Sequence, residues 1–222
     1  MFAQARNWKR YWGSVIRPYL GNRVLDVGAG LGGTARTLAS AQQTKWVCLE
    51  PDRQMAEQIR TSISAGDLPS PCEVRVGTID SIAEHDFTAV VYIDVLEHIE
   101  DDQAELRKAA ALVPAGGRVI VLVPAHQWLY SPFDRAIGHF RRYTLSQLGV
   151  LTPSPLVVEH ACYLDSVGLF ASLANRLLMR SAMPTAAQIG LWDSVMVPAS
   201  RILDPLLLHR FGKTAVMIWR KP

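Results

Sequence analysis

The sequence predicts an α/β fold in which a mostly parallel β-sheet carries helices on both faces. Short runs of Val, Ile and Leu recur along the first 125 residues, and a segment with helical spacing follows most of them. Strands that are apolar along their whole length are typical of parallel sheets buried on both sides. A run of glycines stands between the first strand and its helix, at the edge where such sheets bind their ligands.

The elements of the first part follow one another with short connections. An amphipathic helix over residues 4–20 is predicted to end at Pro18 and the turn at Gly21. The predicted strands cover residues 23–27, 46–49, 73–76, 88–93 and 118–123. The predicted helices that follow cover residues 33–41, 52–64 and 101–113. Gly116 and Gly117 break the chain before the fifth strand.

The second part of the chain is organised differently. Residues 128–143 form a predicted polar, aromatic-rich loop, and Thr144 with Gln147 makes a capping box that begins a short helix. Two more strands are predicted at 157–163 and 214–219. About fifty residues separate these strands, far more than the connection usual between paired strands.

Residues 164–213 are therefore predicted to be a helical insertion before the last strand. The helical pieces are apolar, contain several arginines and are separated by Pro184 and Pro198. They form either ordinary core and dimer surface, or a lid over a ligand site. A lid of this composition would admit a lipid-like ligand or rest on a membrane surface.

Composition and charge exclude several classes of protein. A net charge of +3 on 222 residues gives no support for nucleic-acid binding, which requires a dense basic face. The amino terminus lacks the apolar segment of a secretory signal, and no apolar run reaches the roughly 18 residues of a membrane-spanning helix. Cys48, Cys72 and Cys162 lack CxxC or metal-ligand spacing, so we predict reduced thiols, no metal site and a cytoplasmic location.

The glycine-rich turn is the first motif with chemical meaning. Gly28, Gly30 and Gly33 satisfy a GxGxxG pattern after the first strand, and glycine lets the backbone turn sharply and approach a ligand. Glu50 ends the second strand about twenty residues later, where an acid accepts hydrogen bonds from ribose hydroxyls. The pattern alone fits a dinucleotide and a nucleoside equally well.

Asp26 favours one of these two ligands. It stands two residues before Gly28, where a carboxylate would repel the two negative charges of a pyrophosphate. A sulfonium ion with a methionine ammonium group is instead attracted to a carboxylate. The nearest arginine after the second strand, Arg53, begins a helix and is poorly placed for a phosphate contact. These residues favour a cationic nucleoside.

At these motifs the chain resembles the Rossmann-like (class I) S-adenosylmethionine-dependent methyltransferases. VLDVGAG at 24–30 is similar to their first motif, and YIDVLEHIEDD at 92–102 to their fourth-strand motif. LVPAGGRVIVLVPA at 112–125 is similar to the segment that leads into their fifth strand. The resemblance is strong over 24–125 and moderate over 212–221. It implies a Rossmann-like sheet of seven strands with the last strand antiparallel.

The resemblance also implies the cofactor S-adenosyl-L-methionine and a set of residues that bind it. Glu50 in VCLEPD is similar to the ribose-binding acid, and Asp80 in GTIDSI falls where the family often contacts the adenine amino group. Asp94 ends the fourth strand and is expected to face the methionyl end. The predicted cofactor-binding residues are Asp26, Gly28, Ala29, Gly30, Glu50, Pro51, Ile79, Asp80 and Asp94.

The loop after the fifth strand is expected to border the methyl acceptor. His139 has an unperturbed pKa near neutrality and is a candidate general base. Arg141 or Arg142 is suited to an anionic substrate group, and Tyr130 and Tyr143 are suited to lining the pocket.

A structural interpretation competes with these roles. Asp134 and the two arginines would form ion pairs that only fix the loop, and His139 would then be structural. His98 is a candidate substrate-binding residue, although a histidine in such a turn often caps or packs it.

The sequence thus predicts one methyltransferase domain, residues 1–222, that methylates a small molecule of anionic or lipid-like character. Its predicted parts are the amino-terminal helix 1–22, the cofactor core 23–125, the acceptor-side loop and sixth strand 126–163, the insertion 164–213 and the last strand 214–222. A homodimer and a contact with a membrane surface are left open. So are two other functions: an NAD-type oxidoreductase, and a catalytically silent cofactor-binding partner of another enzyme.

Overall fold

The computed structural model describes residues 5–69, 71–178 and 185–222, and of residues 175–178 only the backbone. Its strands are β1 (Arg23–Val27), β2 (Lys45–Glu50), β3 (Cys72–Val76), β4 (Ala89–Ile93), β5 (Arg118–Pro124), β6 (Val157–Leu164) and β7 (Thr214–Arg220). Its α-helices are α1 (Arg6–Ile16), α2 (Gly33–Leu38), α3 (Arg53–Ser64), α4 (Asp102–Leu112), α5 (Pro132–Ala136), α6 (Leu145–Val150), α7 (Ser166–Leu178), α8 (Ala186–Leu191) and α9 (Val197–Leu206).

The strands form one sheet in the order β3-β2-β1-β4-β5-β7-β6. Neighbours from β3 to β5 are parallel, whereas β7 runs antiparallel to both β5 and β6. The predicted fold class, including the antiparallel last strand, is confirmed. Because the strand order reverses between β1 and β4, a crevice forms at the carboxyl ends of these strands, where open α/β sheets bind ligands.

Apolar side chains fill both faces of the sheet. Successive residues of a strand point to opposite faces, so a strand buried on both sides must be apolar throughout. Val24, Trp46 and Ile120 pack on one face, and Leu25 and Trp219 on the other, all of them fully buried. This two-sided burial explains the apolar runs of β4 and β5, whereas β1 is interrupted by the buried Asp26.

Two fully buried aspartates connect the insertion between β6 and β7 to the rest of the fold. The Asp204 carboxylate accepts a hydrogen bond from the Tyr11 hydroxyl of α1 at 2.6 Å. It also accepts from the backbone N–H groups of Asp165 and Ser166 at 2.7 and 3.0 Å. Asp165 accepts from the Trp192 indole N–H at 2.7 Å. The insertion is thus hydrogen-bonded to α1 and to the end of β6.

The insertion differs in one respect from its prediction. Pro198 lies in the first turn of α9, which continues directly from a π-helical segment at Trp192–Met196, so it does not separate two helices. Pro184 lies outside the described residues. Within the described ranges, no helix is long and apolar enough to cross a membrane.

The structure corrects the interpretation of residues 128–143 as an irregular loop. A 3-10 turn at Gln127–Leu129 and helix α5 lie within this stretch. The Asp134 carboxylate accepts hydrogen bonds from the Ser131 N–H at 2.8 Å and from its hydroxyl at 2.7 Å, which begins α5. The helix is only one turn long, too short to produce an apolar periodicity in the sequence.

Two helix boundaries complete the comparison with the sequence. The first helix was predicted to extend to residue 20, but α1 ends at Ile16 and a 3-10 turn, Arg17–Tyr19, follows it. Pro18 lies in that turn and cannot continue the helical hydrogen bonding. The predicted capping box is confirmed, because the Thr144 side chain accepts from the Gln147 N–H at the start of α6.

We expect Asp204→Ala to lower the free energy of unfolding by about 3 kcal/mol or more. Two buried backbone N–H groups lose their acceptor, and each such group costs about 1–3 kcal/mol. Tyr11→Phe removes one donor from the same carboxylate and should cost about 1 kcal/mol. Urea unfolding of both variants tests this, and a loss under about 0.5 kcal/mol for Asp204→Ala would mean that the aspartate does not hold the insertion in place.

Candidate active site

The glycine-rich loop begins where β1 ends. Gly28 and Gly30 have positive φ angles of 66° and 57°, which glycine adopts without strain. A Cβ atom on Gly28 would lie 2.8 Å from the side chain of Val95, so the backbone there is packed too closely for any other residue. A Cβ on Gly30 would meet nothing within 4 Å. The loop is therefore packed on one side and free for a ligand on the other.

Glu50 lies beside this loop, as the sequence predicts. Its side chain at the end of β2 accepts a hydrogen bond from the Gly30 N–H at 2.7 Å and another from the Asp52 N–H at 3.0 Å. Only 5% of Glu50 is exposed. Each carboxylate oxygen has a second lone pair, so the group can accept further hydrogen bonds from a ligand.

Asp26 lies inside β1, beneath the loop, with 1% exposure. Its Oδ2 atom has no hydrogen-bond partner in the described structure. Burial raises the pKa of Asp26 to about 8, and the Glu50 carboxylate adds to the rise while the Trp46 indole opposes it. The free protein therefore holds this carboxyl largely protonated at neutral pH. The repulsion of a pyrophosphate is weaker than the sequence alone predicts, because it requires the ionised form.

The remaining predicted cofactor residues have varied surroundings. Ala29 and Ile79 are buried in the core, so only their backbone atoms are available to a ligand. Asp80 is exposed and pairs with Lys108 at 2.7 Å. Pro51 is exposed next to Glu50. A contact between the cofactor and these four positions stays a prediction.

Asp94 directly follows β4 and has a positive φ of 54°, which is uncommon for a residue other than glycine. Its N–H donates to the carbonyl of Leu122 at 2.8 Å, which holds the strained residue in place. Part of the Asp94 side chain is accessible to solvent, but protein atoms surround its carboxyl group and displace much of the water around it. This desolvation raises the pKa of Asp94 to about 6, although the nearby His139 and Lys213 oppose the rise.

His139 is oriented by a buried carboxylate. Its Nδ1 atom lies 3.0 Å from Oδ1 of Asp134, and 8% of its side chain is exposed. Burial favours the neutral acid of Asp134, but hydrogen bonds from His139, Ser131 and Arg142 outweigh it and hold the pKa of Asp134 well below its usual range. An ionised Asp134 accepts the Nδ1–H, so the lone pair of the neutral ring lies on Nε2.

Nε2 of His139 points toward Glu97 and His98. It lies 3.8 Å from Oε1 of Glu97, and the rings of His139 and His98 meet edge to face with centroids 4.5 Å apart. Glu97 has 0% exposure, and neither of its carboxyl oxygens has a hydrogen-bond partner in the described structure. Burial raises the pKa of Glu97 well above its usual range, and the charge of Asp94 adds to this.

The two arginines of the GHFRRY segment already pair with carboxylates. Arg141 contacts Asp102 at 2.7 Å, and the Tyr143 hydroxyl donates to the same Asp102 oxygen at 2.7 Å. Arg142 contacts Asp134 at 2.8 Å. These ion pairs are the structural alternative raised by the sequence. A role for either arginine in binding an anionic substrate stays a prediction.

The tyrosines predicted to line the pocket support the same region. The Tyr130 hydroxyl donates to the backbone carbonyl of His139 at 2.6 Å and so fixes the position of the imidazole. Tyr143 is buried, with 2% exposure. Part of it, together with Arg141 and Arg142, borders a surface hollow of about 450 Å³.

Sequence reasoning assigned no role to Glu97 or Lys213, and it missed the contact of Asp134 with His139. Glu97 precedes His98 directly, and this adjacent acid and imidazole after a buried strand were a usable signal. Asp134 stands three residues after Ser131, the spacing of a capping box. Lys213 comes from the start of β7, and nothing near it in the sequence indicates that it lies close to Asp94.

Comparison with known proteins identifies the same stretch of chain. The family described as "Methyltransferase domain" matches residues 25–119, which include the glycine loop, Glu50 and Asp94. A geranyl diphosphate methyltransferase solved in complex with S-adenosylmethionine has the same fold, with a TM-score of 0.66 and 13% identity over 95% of this chain and 84% of that one. Residues 25–119 therefore match a methyltransferase domain, and the chain shares its fold with solved methyltransferases.

Two methyltransferases of known sequence match a longer part of the chain than the family does. The demethylmenaquinone methyltransferase of Tropheryma whipplei is 28% identical over 170 residues, 72% of this chain and 65% of that protein. The ajmaline N-methyltransferase of Rauvolfia serpentina is 24% identical over 185 residues, 81% of this chain and 58% of that protein. The matched region thus spans less than two thirds of the length of either relative.

The crevice beside the glycine loop fits S-adenosylmethionine, the cofactor of the methyltransferases that the chain resembles. The open space above Gly30 accommodates a nucleoside next to the Glu50 carboxylate, which can accept hydrogen bonds from ribose hydroxyls. The partnerless oxygen of Asp26 and the carboxyl of Asp94 supply negative charge for a ligand with a sulfonium and an ammonium group. Gly28, Gly30 and Glu50 would hold the nucleoside, and the two aspartates would face the cationic end.

We expect binding of S-adenosylmethionine to drive a proton off Asp26. The pKa of about 8 applies to the free protein, and a cationic ligand stabilises the ionised carboxylate. Affinity should therefore rise as the pH increases toward about 8 and level off above it, by at most tenfold per pH unit. Calorimetry at several pH values, in buffers of different ionisation enthalpy, measures both affinity and proton release.

Asp26→Asn is the matched control, because the amino group of the ligand titrates equally in both proteins. The difference between parent and variant isolates Asp26. Identical pH profiles and identical proton release would contradict the assignment.

Glu50→Ala should weaken binding of S-adenosylmethionine by about 1.5–3 kcal/mol, the range for hydrogen bonds to a charged group. Glu50→Gln keeps the shape and one acceptor oxygen for the Gly30 N–H, so it should retain part of the affinity. Circular dichroism checks that both variants fold. If folded Glu50→Ala binds as tightly as the parent, Glu50 does not contact the ribose.

Proposed function

We propose that this chain transfers a methyl group from S-adenosylmethionine to a small-molecule acceptor that binds beside His139. One observation supports the proposal: the residues suited to binding the cofactor and those suited to binding the acceptor lie at the same edge of the sheet. Gly30 and Glu50 lie at the ends of β1 and β2, and Asp94 follows β4. His139, from the segment after α5, lies near Asp94.

When bound, S-adenosylmethionine supplies an electrophilic methyl carbon whose bond to sulfur breaks, leaving the electron pair on sulfur, as the acceptor atom bonds to it. The protein holds acceptor and methyl group in line, which is worth on the order of 7–11 kcal/mol.

His139 is proposed to remove the proton of the acceptor. The carboxylate of Asp134 accepts the Nδ1–H, which leaves the lone pair on Nε2. A hydroxyl or ammonium acceptor within hydrogen-bond distance of Nε2 would transfer its proton to the ring as the new bond to carbon forms. The Tyr130 hydrogen bond to the His139 carbonyl keeps the ring in position.

An apolar, lipid-like acceptor is supported better than an anionic one. Arg141 and Arg142 already pair with carboxylates of the protein. The described part of the insertion exposes several large apolar side chains. These are Phe170, Leu173, Leu191, Val195, Ile202, Leu203, Leu206, Leu208 and Phe211. The name of the Tropheryma whipplei relative, a demethylmenaquinone methyltransferase, points to an acceptor of the same character.

We further propose that the chain acts as one domain in which residues 164–213 form a lid over the acceptor. The contacts of Asp204 and Asp165 with α1 and β6 support this role, because they place the insertion next to the sheet. A homodimer and a membrane surface are competing uses of the exposed apolar side chains. Light scattering and flotation with lipid vesicles distinguish them from a lid, since a lid predicts a monomer that stays unbound.

The function is tested by incubating the protein with radiolabelled S-adenosylmethionine and fractionated cell extract. We expect the label to enter small molecules that partition into the organic phase. Label in protein or nucleic acid would contradict the proposal. Saturable binding of NAD without binding of S-adenosylmethionine would favour an oxidoreductase, and binding without any transfer would favour a silent partner protein.

His139→Ala should leave the affinity for S-adenosylmethionine nearly unchanged and slow transfer by about a hundredfold to ten-thousandfold, the usual effect of losing a general base. His139→Gln keeps a polar side chain but accepts no proton at neutral pH, so it should be equally slow. Single-turnover assays with the identified acceptor measure the rate. Parental rates in both variants would make His139 a structural residue.

A further inference from the structure

The carboxyl group of Glu97 is an unsatisfied acid in the interior. It has 0% exposure, and neither oxygen has a hydrogen-bond partner among the described residues. Nearly all buried polar side chains in proteins are hydrogen-bonded, because an unpaired one costs free energy. Such a group therefore indicates that something else occupies the space beside it.

Two imidazoles face this carboxyl. Glu97, His98 and His139 each present one ligand atom, and these three atoms all lie within 4.8 Å of one another. His139 receives orientation from Asp134, whose carboxylate lies 3.0 Å from Nδ1 and leaves Nε2 directed at Glu97. A histidine whose second ring nitrogen bonds a carboxylate is the usual arrangement of a metal-binding imidazole.

We propose that Glu97, His98 and His139 form a binding site for a divalent transition-metal ion, with Asp134 as the residue that orients His139. Two imidazole nitrogens and one carboxylate oxygen form a ligand set that suits zinc and similar ions such as cobalt, and leave at least one coordination position open.

The distances between the three ligand atoms are slightly longer than in an occupied metal site, so they would shorten when the ion binds. Ligand atoms about 2.1 Å from a tetrahedral ion lie roughly 3.4 Å from one another. The 3.8 Å between Nε2 of His139 and Oε1 of Glu97 is close to this value already. The His98 ring already packs edge to face against that of His139, so only a small shift would bring its ligand atom to the coordination distance.

Metal binding itself does not depend on the proposed methyltransferase function. Only the role of the bound ion in catalysis rests on that function. The site lies next to Asp94, at the end of β4 where the acceptor is proposed to bind. A hydroxyl oxygen of the acceptor in the open position would have its pKa lowered by the ion, as happens for metal-bound water. The O–H bond then breaks and its proton passes to bulk water. With the ion present His139 is a ligand, and its role as base applies to the metal-free protein.

Binding is tested on tag-free protein, treated first with a chelator, by titration with Co²⁺. We expect one equivalent to produce the visible absorption of cobalt bound by nitrogen and oxygen ligands in a low-coordinate site, and Zn²⁺ to abolish it by displacement. Equilibrium dialysis gives the Zn²⁺ stoichiometry. Neither measurement uses a cofactor or an acceptor, so both stand even if the methyltransferase proposal fails.

Variants identify the ligands. Glu97→Gln keeps the size of the side chain, and it should weaken Co²⁺ and Zn²⁺ binding at least about a hundredfold, as should His139→Ala. Asp134→Asn should weaken binding by about tenfold to a hundredfold, the effect typical of a residue that orients a ligand. His85→Ala, an exposed histidine outside the cluster, is the control and should bind as the parent does.

Thermal unfolding with and without Zn²⁺ guards against variants that merely fail to fold. The parent and His85→Ala should gain stability from Zn²⁺, whereas folded Glu97→Gln should gain little. A parent protein that binds neither ion overturns the inference, because the buried acid would then be satisfied by a proton and solvent. Equal binding by the parent and Glu97→Gln overturns it as well.

Discussion

A carboxyl group removed from water needs a partner, and this constraint determines much of the structure. Asp204 and Asp165 are fully buried and accept several hydrogen bonds each, which fixes the insertion between β6 and β7 against α1. Asp134 is buried with 1% exposure and collects contacts from Ser131 and from Arg142. Asp204 and Asp165 join segments that are distant along the chain. Asp134 fixes the conformation of the loop around it.

Two buried acids depart from this rule, and both lie where ligands are expected. Among the residues that the structure describes, one oxygen of Asp26 has no partner beneath the glycine loop, and neither oxygen of Glu97 has one beside the imidazoles of His98 and His139. Leaving such groups unsatisfied costs stability, and proteins accept that cost mainly at functional sites. We therefore propose that each of these two acids receives its partner from outside the chain, Asp26 from the cofactor and Glu97 from a metal ion.

The sequence predicts the parts of this arrangement that depend on local pattern. Continuous apolar runs predict the strands, and the glycines with Glu50 predict the loop and the acid that lie 2.7 Å apart in the structure. The resemblance to class I methyltransferases supplies the number of strands and the antiparallel direction of the last one. The sequence does not predict α5, because a helix of one turn leaves no apolar periodicity. It does not predict that Lys213 lies near Asp94 either, because this depends on the pairing of β7 with β5.

Burial is the other quantity that local pattern does not predict. Nothing in the sequence around Glu97 indicates that this acid is completely enclosed. The sequence predicts Asp26 to be an ionised carboxylate that repels a pyrophosphate, yet burial raises its pKa to about 8. Both differences follow from the packing of the crevice, and both change the chemistry expected there.

The most direct test is a crystal structure of the protein with S-adenosylmethionine and Zn²⁺, with anomalous data collected at the zinc edge. The account predicts ribose hydroxyls about 2.7–3.0 Å from the Glu50 carboxylate, a positively charged methionyl group between Asp26 and Asp94, and an anomalous peak among Glu97, His98 and His139. A cofactor bound away from Glu50, or a Glu97 carboxyl that contacts only solvent in the complex, would contradict it.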